Sequence, residues 1–203
     1  MNYGEEYAYW YLRLNGFFCL PNFVIHRFGD VRDSSDCDIL AIRPPHVFEE
    51  IGGKPDDWDH KLQEQLYFRR TIGVICEVKT GGYSTKELFK PEHVNYCLGR
   101  LGFVPRDHVA AVGKDLASRK AVDIAGNYQV CKLLIANGGD PDGVFLFCAL
   151  ESVIKFLRAR VAKYGKEKYR DRMFFSSILF QSMIDIAALN CDAQSRMAER
   201  GGD

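Results

Sequence analysis

The sequence predicts an α/β (α+β) fold, a central mixed β-sheet flanked by helices, with an added helical part toward the C-terminal end. Two observations carry this. Apolar runs of strand length, such as residues 71–80 (TIGVICEVKT) and 128–136 (YQVCKLLIA), interleave with longer segments of helical character. In TIGVICEVKT both alternating faces are apolar as far as Cys76, the pattern of a central strand covered on two sides. Repeats at 20–50-residue spacing and low-complexity blocks are absent, which sets aside solenoid and linker architectures.

In order along the chain, residues 3–15 read as a helix closed by Gly16, with Ala8, Tyr11 and Leu12 on its apolar side. Residues 17–27 are rich in Phe, Val and Ile and read as extended; the polar loop GDVRDSSD follows. Residues 38–42 (DILAI) make a short strand stopped by Pro44-Pro45. Residues 46–70 read as an insertion: residues 49–64 hold six acids against two Lys, and residues 59–68 can form a short helix. After strand 71–80 and the Gly81-Gly82 turn, helices are expected at 87–101, with Pro91 near its start, and at 106–118. Strands follow at 128–136 and 143–148. Helices at 150–164 and 174–190 make up a C-terminal part over 149–190. One domain over 1–195 is expected, with a frayed tail at 196–203.

Composition narrows the function. With 203 residues, 27 Lys+Arg and 27 Asp+Glu, the chain is neutral overall, so any nucleic-acid contact needs a local basic face. The seven Cys show no C-x-x-C pair and mostly sit in apolar runs, as reduced thiols do in a reducing, cytoplasmic setting; this argues against a disulfide scaffold or structural zinc. MNYGEEYAYW lacks the basic and apolar regions of a signal peptide. The longest strongly apolar stretch without a charge is read at 173–184, twelve residues, too short for a membrane crossing, which takes roughly 20. A soluble protein is expected.

The chemistry concentrates at E77-V-K79. Residues i and i+2 of a strand face the same way, so Glu77 and Lys79 project together where the central strand emerges. Two readings stand: a salt bridge ending the strand, or catalytic machinery. Asp38, at the start of DILAI, supplies a second carboxylate. Adjacent strands would bring Asp38 and Glu77 within reach of one divalent cation, and hard carboxylate oxygens with water and a phosphate oxygen suit Mg²⁺. Asp36 shares the strand parity of Asp38 but still belongs to the loop.

The order Glu5, D38-I-L-A, E77-V-K79 resembles the PD-(D/E)XK, or restriction endonuclease-like, nuclease superfamily, closest to its Holliday-junction resolvase-like branch. GEEYAYWYLRLNGF places Glu5 eleven residues before Gly16, as the first helix of that branch does. The resemblance covers roughly residues 4–103. It implies a restriction endonuclease-like core and Mg²⁺ (or Mn²⁺) held by Asp38, Glu77 and the Val78 carbonyl. It also implies Lys79 serving the attacking water and Glu5 as a further catalytic acid. Cys37 stands where the motif has Pro, and the 39-residue gap from Asp38 to Glu77 exceeds that of compact members.

Glu5 has a second reading, since Asn2-x-x-Glu5 is also a capping box. Helical spacing puts Glu5 with Ala8 and Leu12 on the inward face, and Glu6 with Tyr9, Trp10 and Arg13. Residues 155–172 carry eight Lys/Arg against two acids, so Lys163, Lys166, Lys168 and Arg170, with Arg27 and Arg32 nearer the strand site, are the candidate phosphate contacts. A solvated helix face is the alternative. The aromatic-rich MFFSSILFQSMI is either a buried core helix or a homodimer surface. The expected function is a metal-dependent nuclease cleaving phosphodiester bonds, in DNA. The alternative is a catalytically silent nuclease-fold protein acting as a nucleic-acid-binding or regulatory subunit.

Overall fold

Asn2 starts the first helix by capping it. In the computed structural model, which describes residues 1–25, 35–138, 143–165 and 177–187, its side-chain oxygen accepts from the Gly4 and Glu5 amides at the head of α1 (Tyr3–Leu14). The chain reverses at Gly16, whose φ of 85° is the left-handed turn that closes the helix. It then enters β1 (Phe18–Ile25) and β2 (Ser35–Arg43), an antiparallel pair.

β2 pairs antiparallel with β3 (Thr71–Lys79). From there α3 (Pro91–Leu101) and α4 (Val109–Ala117) lead to β4 (Ala121–Ile124) and then to β5 (Tyr128–Ala136), which runs parallel to β3. The other edge of β5 is shared: its first half pairs antiparallel with β4, its second half parallel with β6 (Leu146–Ala149). The order β1-β2-β3-β5-β4, with β6 beside β5, is the mixed sheet that the sequence predicts, and β2 and β3 are neighbours as expected.

Each sheet face has its own core. On one, Ile39, Val74, Cys76 and Val78 pack against α1, α5 (Leu150–Tyr164) and α6 (178–187). Leu40, Ile75 and Val130 pack on the other against Val94, Cys97 and Leu98 of α3 and Leu116 of α4. Burying β3 from Ile72 to Cys76 on both sides is what its unbroken apolar run requires. Trp10 stacks on Phe180 at 4.2 Å, and Phe180 and Ile184 are buried, so α6 is a core helix on its inner side.

Several boundaries differ from the sequence expectation. Pro91 takes the first position of α3, where its missing N–H costs nothing, so the helix starts four residues later than 87; residues 85–87 form one 3-10 turn. The helix expected at 106–118 splits into a 3-10 turn at Arg106–His108 and α4. The strand expected at 143–148 shortens to β6, and the helix within the insertion to α2 (His60–Gln65), begun by an Asp59 cap on Lys61 N. β4 is absent from the sequence reading, since four residues (AVDI) carry too little alternation to register.

The insertion, unexplained at the sequence level, is tied to the core by buried charge. Arg43 is fully buried with no carboxylate partner among the described residues: it donates to the carbonyls of Asn15, Pro44 and Phe68, and its guanidinium lies 4.2 and 4.0 Å from the ring centres of Trp58 and Phe68. Burial brings its pKa down to about 10. Asp57, also buried, pairs with Arg160 at 3.2 Å and Lys163 at 2.8 Å on α5 and accepts from the Tyr164 hydroxyl. The insertion thus becomes a clasp joining the C-terminal end of α1, the end of β2 and α5.

Candidate functional site

β3 leaves the double-sided core at Glu77, where burial begins to alternate: Glu77 and Lys79 are half-buried and Val78 between them is buried. Across from them, the β2–β3 register ends at the pair Ile39–Cys76. Asp38 stands one residue beyond that last pair, and its carboxylate takes over as acceptor: Val78 N–H donates to Asp38 Oδ2 at 2.6 Å. Lys79 Nζ lies 2.9 Å from Glu77 Oε2 and 3.5 Å from Asp38 Oδ2. The structure therefore brings together three of the sequence-predicted residues, Asp38, Glu77 and Lys79, around one ammonium group.

The Val78 backbone follows from strand geometry. Asn137 N–H donates to Lys79 O at 3.2 Å, so the polar groups of Lys79 face β5. Those of Val78 face the opposite way, toward β2, and its carbonyl emerges on the same side as the N–H that meets Asp38.

The local charge is negative. Burial, followed by the charges of Asp38 and Asp36, raises the Glu77 pKa above its ordinary value against the pull of Lys79. For Lys79, burial acts downward, but the hydrogen bond and charge of Glu77 together with Asp38 overcome it and hold the ammonium above its ordinary value. Among the described residues no group of three or more His, Cys, Asp or Glu side chains converges as a metal cage. The donor set at this strand end is two carboxylates and a carbonyl. Such a hard-oxygen set fits Mg²⁺, which is typically bound through one or two carboxylates and keeps several waters, and does not fit zinc.

Glu5 is used at home. Its carboxylate accepts from the Asn2 backbone at 3.0 Å and from the Asn2 side chain, completing the capping box, and Met1 N lies 3.9 Å away. Glu5 and Glu6 are both half-buried, so burial does not separate them as helical spacing suggested. Trp10, assigned with Glu6 to the outer side, is buried against Phe180. Lys163 is committed to Asp57 and so holds the insertion. Arg27, Arg32, Lys166, Lys168 and Arg170 lie outside the described residues.

Two features of the site escaped the sequence reading. Gly4 brings the first turn of α1 down onto the end of β3: a Cβ there would run into Thr80 Cγ2 and crowd Val78 Cγ1 at 3.2 Å. Its signal is a glycine next to a candidate acid inside a helix start. Asn137 ties the ends of β3 and β5, its backbone on Lys79 O and its side chain on Thr80 O. A polar residue just past the carboxyl end of a parallel strand is the place to look for such a tie. No protein-family model, curated protein or solved structure matches this chain.

Proposed function

We propose that this chain is a metal-dependent nuclease of PD-(D/E)XK type, hydrolysing phosphodiester bonds in DNA. The observation that carries the reading is the convergence of Asp38 and Glu77, from different strands, on the Lys79 ammonium at 3.5 and 2.9 Å. Asp38, Glu77 and the Val78 carbonyl would hold Mg²⁺ or Mn²⁺. When bound, such an ion polarises a phosphoryl oxygen and makes its water acidic enough to supply hydroxide near neutral pH. Lys79, held protonated by its two carboxylates, orients the water by donating to it and offsets negative charge that develops on the phosphate. The Val78 amide fixes the Asp38 carboxylate in place.

Two further observations support the setting. Among the described residues all six cysteines are free, five of them buried, in keeping with a reducing, cytoplasmic compartment. No helix among the described residues is long and apolar enough to cross a membrane. The test is nicking of supercoiled plasmid and cleavage of branched DNA with Mg²⁺, Mn²⁺, Ca²⁺ or EDTA. Mg²⁺- or Mn²⁺-dependent cleavage lost in Asp38→Asn and Glu77→Gln, with Ca²⁺ binding but unproductive, is the expected result. DNA binding without cleavage under all these conditions would favour the silent, regulatory role instead.

A further inference from the structure

Asn22 is an exposed residue in the middle of β1, and its φ of 50° is left-handed. It lies opposite Asp38, at the one step the β1–β2 register skips, between the pairs Pro21–Ile39 and Phe23–Cys37. On its other side, Asp38 lies just past the end of the β2–β3 register. Asp38 is thus released from both ladders at once.

The side chains record the same break. In a regular strand, Cys19, Phe23 and Ile25 share one face, as do Cys37 and Ile39. Here Cys19 and Ile39 pack toward α1, whereas Phe23, Ile25 and Cys37 pack toward α3. Both strands exchange faces at the level of Asn22 and Asp38. In β1 the exchange falls at the left-handed residue itself, and asparagine tolerates that conformation far better than most other non-glycine residues.

We infer that Asn22 is a positioning residue for the proposed metal site. Its left-handed backbone frees Asp38 from strand pairing, so that the carboxylate swings onto the Val78 amide and toward Glu77 and Lys79. The inference rests on the nuclease reading for its consequence, but its geometric half stands on strand geometry alone. Asn22 is exposed, so its replacement empties no core.

The experiment compares Asn22→Gly, Asn22→Ala and Asn22→Val with wild type and with Asp38→Ala as the reference for a lost contact. Two readouts are taken on each: the proton shift of the Val78 amide in metal-free protein, and Mn²⁺ affinity by calorimetry. The Val78 amide should be far downfield in wild type and in Asn22→Gly, which keeps the backbone conformation open. In Asn22→Val it should move to the Asp38→Ala position, with Mn²⁺ binding weakened about 10- to 100-fold, the cost of disturbing a group that orients a ligand. Asn22→Ala should move the same way and serves as the measurement if Asn22→Val does not fold. A wild-type Val78 shift in folded Asn22→Val or Asn22→Ala would overturn the inference, as would loss of the contact in Asn22→Gly. A wild type that binds no Mn²⁺, with the amide shifts as expected, would remove the metal reading and leave the positioning of Asp38 by Asn22 in place.

Discussion

Lys79→Ala separates catalysis from charge balance. The ammonium lies 2.9 Å from Glu77 and 3.5 Å from Asp38, and the Lys79, Glu77 and Asp38 side chains are 32%, 15% and 11% exposed. Two unit charges about 3 Å apart attract by roughly 5 kcal/mol at an effective dielectric near 20, before desolvation is subtracted. Hydrogen bonds to charged groups retain about 1.5–3 kcal/mol as net stability, and the partial exposure of the lysine argues for the lower end. Metal-free Lys79→Ala should therefore lose about 1–2 kcal/mol in urea melts. The same change removes a cation competing for both carboxylates, so Mn²⁺ should bind the variant at least as tightly as wild type. Cleavage should fall on the order of 10²-fold or more, the range for a positioned proton donor or charge-stabilising group. Lys79→Arg should recover stability but not rate, because a planar guanidinium is larger and donates along other directions. Single-turnover cleavage of a labelled duplex at saturating Mg²⁺, beside the Mn²⁺ titration and the melt, reads all three quantities. A wild-type rate accompanied by the stability loss would refute the reasoning and reduce Lys79 to a counter-ion.

Glu77→Gln should abolish cleavage while leaving the metal-free thermal midpoint unchanged or raised at pH 7.5. Burial and the Asp38 and Asp36 charges raise the Glu77 pKa above its ordinary 4.5, so its ionisation costs stability as pH rises past that value. The variant should match wild type at acid pH, and a lower midpoint at pH 7.5 would contradict this. Asp57→Ala should cost about 3–5 kcal/mol by urea unfolding, since it strands the buried Arg160 guanidinium. Burial acts to raise the Asp57 pKa, but hydrogen bonds from Lys163, Tyr164 and Lys54 N–H, with the charge of Arg160, hold it at about 2. That depressed carboxyl contributes about 2 kcal/mol above its ordinary 3.8, lost as pH falls from there through about 2; Asp57→Asn should lack this part of the acid unfolding limb. Arg43→Lys should destabilise by about 2–3 kcal/mol, because an ammonium cannot serve three carbonyls and two ring faces at once; a change within 0.5 kcal/mol would contradict that account.

The legible parts of the fold share a cause. Residues 128–136 and 150–164 carry the same bounds in sequence and structure because their signals are local: an apolar run on one hand, and helical periodicity up to Gly165 on the other. β4 and the start of α3 were less legible because four residues hold little pattern, and because Pro91 is compatible with several positions near a helix start. The clasp of residues 46–70 was illegible for a different reason. Asp57 reads as one acid among six until Arg160, more than one hundred residues away, is seen beside it.

By itself the sequence determined the α/β class, the central place of β3 and the two charged side chains at its end, because strand periodicity orients Glu77 and Lys79 without help from the rest of the chain. It also placed Asp38 at the head of the neighbouring apolar run. Only the tertiary structure decided how that carboxylate is aimed. The direction of Asp38 depends on two ladders ending together, on a left-handed residue across the hairpin and on an amide of β3 left without a strand partner. None of these is a property of the residues around position 38. Each is a relation between segments that the chain brings together only when the sheet assembles, and such relations leave no periodic trace in a linear sequence.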